Sequence, residues 1–194
     1  MTPEPYFTSD WHLEHKRDSK LARRRGFADG FEMNDYIIDT VINNVPKGNT
    51  LYNLGDLATR IHAEVLDPYL KRLRHAGIQM QWIYGNHDFK VKYFPKGLIS
   101  WQGWQKTIKY DGQKIFLNHY PCHVWESSHY GSWHLHGHIH SGDYTDALMR
   151  ATDLVFPGKI YNVCVDQNNM KPLSFTEVAA IMEKKSDNWD LIKR

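Results

Sequence analysis

The chain has 194 residues, of which 41% are apolar and 24% are charged, a composition typical of one globular domain with its own core. Its apolar runs fall short of the ~18 residues that a membrane-spanning helix needs, and residues 1–5 do not resemble a secretory signal. The net charge of +2 is too small to indicate a nucleic-acid partner, and the two cysteines, Cys122 and Cys164, favour a reducing cytoplasm over a disulfide framework.

Hydrophobic periodicity and turn residues predict alternating strands and helices in the first half of the chain. In chain order these are a strand over 6–10, a mostly unstructured polar stretch over 13–30, an amphipathic helix over 33–45, a strand over 50–54, a helical turn near 61–66, a helix over 67–77 and a strand over 78–84. Asp67 is the predicted N-cap of the helix over 67–77, with Pro68 in its first turn.

Hairpin signals replace this alternation in the second half of the chain. In order, the predictions are strands over 105–110 and 113–118 around the turn Asp111-Gly112, strands over 133–138 and 159–165, and a last helix that begins at the capping box Ser174-x-x-Glu177. Because no repeat, low-complexity block or linker interrupts the sequence, residues 1–194 are predicted to form a single mixed α/β domain.

Five short motifs, each directly after an apolar run, carry side chains that bind divalent metals. They are Asp10-Trp11-His12, Gly55-Asp56, Gly85-Asn86-His87-Asp88, His119 and Gly137-His138-Ile139-His140. Imidazole and carboxylate together suit first-row divalent ions, and Asn adds a neutral carbonyl oxygen. The two ligands of Asp-x-His, like those of His-x-His, would point to one face of an extended chain. Since ligands of α/β proteins gather beyond the carboxyl ends of strands, we expect one site there.

As an ordered set, these motifs resemble the calcineurin-like metallophosphoesterase superfamily. The stretches 7–16, 32–34 and 51–56 are similar to its small bacterial and phage members. The resemblance spans residues 10–140 and implies one calcineurin-like domain with a four-layer αββα sandwich, in which two mixed sheets pack face to face with helices outside.

The resemblance also assigns the ligands to two ions that share one aspartate. One ion would take Asp10, His12, Asp56 and His140, and the other would take Asp56, Asn86, His119 and His138. Mn²⁺ is the leading candidate, with Fe, Zn, Ni, Co and Mg as alternatives. Two divalent ions and two carboxylates leave a site of about +2, which attracts phosphate and acidifies a bridging water. The implied reaction is attack on phosphorus by that bridging hydroxide.

Further residues in and near the motifs are candidates for catalysis and substrate binding. By the resemblance, His87 is the general acid or hydrogen-bond donor at the leaving oxygen, and Asp88 orients His87 or tunes its pKa. Asn86 is a candidate substrate contact as well as a candidate metal ligand. Arg60 matches a phosphate-contacting arginine of the phosphoprotein phosphatase branch, although Thr59 stands where that branch has a carboxylate.

For several residues the sequence leaves two interpretations open. His15 either leans over the site to touch substrate or belongs to a solvated loop. The run Arg23–Arg25 is either a solvated charge run or a substrate-facing patch. The segment 121–131 forms either a wall of the pocket or an ordinary surface loop. His136 either hydrogen-bonds a ligand or is simply packed, and His134 is predicted to be structural.

The sequence therefore predicts a metal-dependent phosphoesterase that acts on a small phosphate ester, with a phosphodiester slightly favoured over a monoester. The alternatives are a DNA nuclease or phosphomonoesterase of the same superfamily, or a non-catalytic binding or scaffold protein on the same fold. No membrane partner is expected, and the oligomeric state is left open. Every ligand position and His87 are present, so the sequence shows no sign of a degenerate site.

Overall fold

A computed structural model describes residues 3–13, 19–58, 63–88, 95, 97–140 and 157–192. The predicted substrate contacts His15 and Arg60 lie outside the described residues, as does part of the helical turn predicted near 61–66. The strands are β1 (Pro5–Thr8), β2 (Thr50–Asn53), β3 (Gln79–Ile83), β4 (Ile99–Gly103), β5 (Gln105–Tyr110), β6 (Gln113–Asn118), β7 (Trp133–His136), β8 (Ile160–Asn162) and β9 (Leu173–Ser174). The helices are α1 (Lys20–Arg24), α2 (Gly30–Asn44), α3 (Ala63–His75) and α4 (Phe175–Glu183).

Two mixed sheets pack face to face. The first has the order β4-β3-β2-β1-β9, with β1 to β4 parallel and β9 antiparallel to β1. The second has the order β5-β6-β7-β8, in which an antiparallel β5–β6 hairpin is extended by two parallel pairings. The predicted α/β class, with two mixed sheets flanked by helices, is therefore confirmed, and it is the sandwich that the resemblance implies.

Alternation along the strands divides the apolar side chains between two main cores. In β1, Tyr6 faces the helices on the outer side of the first sheet, whereas Phe7 points between the sheets. The outer core is filled by α2 and α3, and the core between the sheets also receives the apolar face of α4. A small third cluster on the outer face of the second sheet consists of Phe116, Trp125 and Ile160, with Cys122 against it.

Capping residues start one helix earlier than predicted and begin another that was not predicted. The Asp29 carboxylate accepts the backbone N–H groups of Phe31 and Glu32 at 2.9 Å, so α2 begins at Gly30 rather than near 33. The prediction that 13–30 is mostly loop is wrong for α1, because the Ser19 hydroxyl accepts the N–H of Ala22 at 2.9 Å and starts a short helix there.

Helix α3 passes through Pro68, which the sequence analysis placed in a first turn after an Asp67 cap. That N-cap prediction is wrong, since α3 already begins at Ala63. Pro68 is the sixth residue of α3, so its missing N–H leaves the carbonyl of residue 64 without its usual intrahelical donor. Burial of Leu70 and Leu73, each about 1% exposed, holds the helix against the first sheet and outweighs the proline's cost.

The local signals of the second half are confirmed. Asp111-Gly112 closes the β5–β6 hairpin, with Tyr110 paired to Gln113. The capping box is complete, since the Ser174 hydroxyl accepts the N–H of Glu177 at 3.2 Å and the Glu177 carboxylate accepts the N–H of Ser174 at 2.7 Å. Strands β4 and β9, by contrast, carry no clear alternation in the sequence and were not predicted.

Candidate metal centre

The parallel strands of both sheets end at the same edge of the sandwich, and the predicted ligands follow those ends. Asp10, Asp56 and Asn86 come after β1, β2 and β3 of the first sheet. His119 and His138 come after the neighbouring parallel strands β6 and β7 of the second sheet. The fold therefore brings residues from distant stretches of chain to one crevice, as expected for an α/β protein.

Backbone hydrogen bonds join the loops that carry these ligands. The N–H of Asp10 donates to the Gly55 carbonyl at 2.9 Å, and the N–H of His12 donates to the Asp56 carbonyl at 2.9 Å. The Asp10 carboxylate in turn accepts the N–H of His138 at 3.1 Å and 3.2 Å, which links the two sheets. These bonds hold the ligand-bearing loops in place. They use only backbone groups of His12, Asp56 and His138, so the side chains of these residues remain directed to the site.

Four of the predicted ligands form a compact cluster, which we call the first ligand set: Asp10, His12, Asp56 and His140. One donor atom of each lies within 4.8 Å of the others, so the set can hold a metal ion. The Nε2 atoms of His12 and His140 face each other at 3.1 Å. Asp56 Oδ2 is 3.6 Å from His12 Nε2, and Asp10 Oδ1 is 3.4 Å from His140 Nε2.

The second ligand set, Asp56, Asn86, His119 and His138, lies directly beside the first. Asn86 Oδ1 is 3.1 Å from His119 Nε2 and 3.0 Å from His138 Nδ1. Asp56 Oδ2 is 3.5 Å from His119 Nε2, so this one oxygen lies between the histidines of the two sets. All seven predicted ligands are therefore together in one site.

Hydrogen bonds fix the orientation of two histidine rings and leave their Nε2 atoms facing the site. His119 Nδ1 is 2.8 Å from the Leu54 carbonyl, and His140 Nδ1 is 2.6 Å from the Asp166 carboxylate. Each of these acceptors places the ring proton on Nδ1, so Nε2 presents a lone pair. Burial lowers the pKa of His12 to about 2, which keeps that ring neutral.

The donor chemistry of the site fits divalent cations. Nitrogen atoms of imidazole and oxygen atoms of carboxylate converge over 3–4 Å, and their lone pairs repel one another unless a proton or a metal cation lies between them. Asp10 and Asp56 are almost fully buried, and burial raises the pKa of Asp10. A bound cation would compensate the unfavourable burial of both negative charges.

Four of the predicted ligand residues adopt the left-handed backbone conformation, which residues other than glycine rarely adopt. The φ angles are 60° at Asp10, 49° at His12, 52° at Asp56 and 72° at His138. The expectation that Asp-x-His and His-x-His are extended is therefore wrong, because β1 ends at Thr8 and the left-handed residues turn the chain towards the site. Each such residue costs roughly 1 kcal/mol or more, a strain that clusters at functional sites.

Two motif glycines are required by close packing against the carboxylates. A Cβ atom added at Gly85 would overlap the Asp56 carboxylate, and one added at Gly137 would come within 2.5 Å of Asp10 Oδ2. Any side chain at these positions would displace a ligand. The glycines that precede Asn86 and His138 in the sequence are thus part of the site's geometry.

The two predicted catalytic residues lie in different surroundings. His87 is exposed at the mouth of the site, where its ring centroid is 5.0 Å from that of His12 and its backbone N–H donates to Asp56 Oδ1 at 2.8 Å. Asp88 is buried, and burial raises its pKa to about 7. In the described part of the chain its carboxylate accepts backbone N–H groups from the loops after β2 and β3 and the indole N–H of Trp82 in β3, not a bond from the His87 ring.

Two residues of the site were missed by sequence reasoning. Asp166, in the 3₁₀ turn after β8, bonds His140 and forms an ion pair with Arg25. Arg25 was considered only as part of the run Arg23–Arg25, yet its side chain is 4% exposed and turned inward, whereas Arg23 and Arg24 are exposed. Neither residue lies in a local motif with its partner, so no sequence signal could have paired them.

The other residues near the site whose role the sequence left undecided are mostly packed inside the protein. His134 is buried and bonded to the backbone of β6 and of the segment after it, which confirms its structural prediction. His136 is buried with Nδ1 2.8 Å from the Gly137 carbonyl. In the segment 121–131, Trp125 is buried beneath the second sheet. Tyr120, just before that segment, packs its ring 4.8 Å from His138.

No protein-family model and no curated protein sequence matches the chain. Among solved structures, the protein of unknown function AQ665 from Aquifex aeolicus is similar to this chain with a TM-score of 0.71 and 24% identity, over 93% of this chain and 100% of that chain. This likeness shows a shared fold.

Two further solved structures are weaker matches. The nuclease MPE from Pseudomonas putida has a TM-score of 0.43 and 17% identity, over 70% of this chain and 61% of that chain. The phosphoesterase Yfce from E. coli has a TM-score of 0.38 and 16% identity, over 83% of this chain and 78% of that chain. At these TM-scores neither establishes a shared fold or activity.

None of the helices in the described ranges has both the length and the apolarity that crossing a bilayer requires.

Proposed function

We propose that the protein is a metal-dependent phosphoesterase that hydrolyses a phosphate ester, with phosphodiesters favoured, at a pair of divalent ions. The observation that carries this proposal is the position of Asp56 Oδ2, which is 3.6 Å from His12 Nε2 and 3.5 Å from His119 Nε2. One carboxylate oxygen between two sets of ligands is the arrangement that a two-ion centre needs.

The ligand chemistry supports a site that attracts phosphate. Only Asp10 and Asp56 contribute negative charge to the two ligand sets, and the other predicted ligands are His and Asn. Bound divalent ions would supply the positive charge that neutralises phosphoryl oxygens and lowers the pKa of a water. The exposed Asn86 and His138 leave the second ligand set open to an incoming ester.

His87 is suited to protonate the leaving oxygen. Its ring is exposed and close to His12, while its backbone N–H is fixed by the Asp56 carboxylate at 2.8 Å. The backbone bond sets the position of the residue without using its ring nitrogens. General acid catalysis by such a group contributes about 10²–10⁴-fold to rate.

The test is release of nitrophenol from bis-p-nitrophenyl phosphate by the purified full chain with Mn²⁺, compared with p-nitrophenyl phosphate. Asp56→Asn should reduce the rate by about 10²–10³-fold or more, because the shared ligand loses its charge. Asp111→Asn is the matched control, since Asp111 also has a left-handed φ, of 46°, but lies in the β5–β6 turn. Asparagine tolerates this conformation, so the control should keep its full rate.

Two results would contradict the proposal. The first is a chain that binds Mn²⁺ yet hydrolyses neither ester, which would favour a binding or scaffold protein. The second is an Asp56→Asn variant that is as active as the Asp111→Asn control. Faster hydrolysis of the monoester than of the diester would overturn the preference for diesters and leave the metal-dependent hydrolysis standing.

A further inference from the structure

A buried ion pair lies directly behind the first ligand set. Arg25 Nε is 2.7 Å from Asp166 Oδ1, and Arg25 Nη2 is 3.0 Å from Asp166 Oδ2, a two-point contact between guanidinium and carboxylate. The two side chains are 4% and 9% exposed. A buried charge pair is retained only when its geometry is good and its remaining donors and acceptors are satisfied.

Both members of this pair are also bonded to residues of the first ligand set or beside it. Arg25 Nη2 donates to the Asp10 carbonyl at 2.8 Å, and Nη1 donates to the Trp11 carbonyl at 2.9 Å. Asp166 Oδ2 is bonded to His140 Nδ1 at 2.6 Å. One guanidinium therefore fixes the backbone of Asp10 and, through Asp166, the ring of His140.

The second ligand set is oriented differently. His119 Nδ1 bonds to the carbonyl of Leu54, a backbone group in the loop after β2. No contact of Arg25 or Asp166 among the described residues involves Asn86, His119 or His138. The ring of His140 is thus oriented by a side-chain ion pair, whereas the ring of His119 is oriented by a backbone carbonyl.

We propose that Arg25 and Asp166 are positioning residues for the first ligand set, and that they determine the affinity of the ion held there and not of its neighbour. This inference rests on the two-ion centre of the proposed function. The bond from Asp166 keeps the proton of His140 on Nδ1 and its Nε2 lone pair towards the site. The bonds from Arg25 keep Asp10 in its left-handed conformation.

The experiment is titration of the metal-free full chain with Mn²⁺, followed by calorimetry and by electron paramagnetic resonance. Wild type should bind two ions, and the filled site should show the exchange coupling of adjacent Mn²⁺ ions. Asp166→Asn should weaken one of the two binding events by about 10–100-fold, because an amide cannot hold both His140 and Arg25. At intermediate Mn²⁺ the variant should give the signal of an isolated ion.

A second, milder variant keeps the inference testable if Asp166→Asn fails to fold. Arg25→Lys keeps the positive charge but loses the planar two-point contact, so it should weaken the same ion by a smaller factor than Asp166→Asn. Asp35→Asn is the control, since it removes the negative charge of the Asp35–Arg72 ion pair on the surface, away from the ligands. It should leave both binding events unchanged.

The outcomes separate this inference from the proposed function. If wild type binds two ions and Asp166→Asn binds both as tightly, or loses both equally, the positioning inference is wrong and the two-ion centre stands. If wild type binds no second ion, both fail. Loss of a single binding event in Asp166→Asn, with a partial loss in Arg25→Lys, supports the inference.

Discussion

The carboxylate of Asp88 accepts the backbone N–H of Asp56 at 2.6 Å, and this bond fixes the loop that presents the shared ligand. The same carboxylate accepts the N–H of Gly85 at 2.8 Å and that of Leu57 at 3.0 Å. One buried side chain therefore joins the loops after β2 and β3. It supports the left-handed conformation of Asp56 from behind, while the Asp56 side chain faces the ligands.

Replacing Asp88 with alanine should destabilise the protein and weaken metal binding. The change leaves three backbone N–H groups buried without an acceptor, and each such group costs about 1–3 kcal/mol. We expect the free energy of unfolding of the metal-free protein to fall by about 3 kcal/mol or more, measured by urea denaturation. The control is Asp187→Ala at an exposed position, which should stay within about 0.5 kcal/mol of wild type. Equal stability of the two variants would contradict the positioning role of Asp88.

Replacing His87 with alanine should lower the turnover rate without weakening Mn²⁺ binding. Only the backbone N–H of His87 contacts Asp56, and the alanine variant retains it. The rate should fall by about 10²–10⁴-fold for an ester with a poor leaving group, and by less for nitrophenolate, which needs little protonation. His75→Ala, at an exposed position on α3, is the control. An equal loss with both leaving groups would show that His87 does not act as a general acid.

The sequence predicted which side chains lie together at the site better than it predicted the backbone that carries them. Each ligand follows an apolar run, and the ends of parallel strands converge, so the composition of the site could be read from order and spacing. The left-handed φ angles of Asp10 and His12 could not, because they depend on hydrogen bonds to the loop after β2. The sequence pattern describes strands, and the turn towards the site begins where the strand ends.

The contact between Arg25 and Asp166 behind the ligands could not be predicted from the sequence, for a different reason. Arg25 and Asp166 are 141 residues apart, and neither belongs to a periodic pattern that would mark it as a partner of the other. Pro68 gave a misleading local signal because the packing of α3 against the first sheet outweighs it. Local signals succeeded where the contact is local, as in the Ser174 capping box.

Replacing Gly137 with alanine should impair metal binding more than folding. The new Cβ would lie 2.5 Å from both Asp10 Oδ2 and Ser9 Oγ, so the Asp10 carboxylate must move. We expect Mn²⁺ affinity to fall by about 10-fold or more. Gly26→Ala is the control: Gly26 has open space around it and a φ of 87°, so alanine there costs about 1 kcal/mol of stability and leaves Mn²⁺ affinity unchanged. Unchanged affinity in Gly137→Ala would contradict the need for close packing at Asp10.

Acid should destabilise the metal-free protein through His134. Burial lowers the pKa of His134 in the folded state to about 4, from its usual 6.5. The neutral ring suits its surroundings, since Nε2 accepts the N–H of Cys122 at 3.2 Å and Nδ1 is 3.2 Å from the Phe116 carbonyl. Between these two pKa values the unfolded chain binds more protons than the folded chain, so lowering the pH favours unfolding.

The contribution of His134 is therefore fully present above pH 6.5 and is lost as the pH falls towards 4. Over that window the free energy of unfolding should decrease by up to about 1.4 kcal/mol per pH unit from this residue, measured by urea denaturation in the presence of a chelator. His134→Gln should be less stable near neutral pH but show a shallower pH dependence, whereas His75→Gln, at an exposed position, should match wild type. A His134→Gln variant with the full wild-type slope would assign the acid sensitivity to other groups.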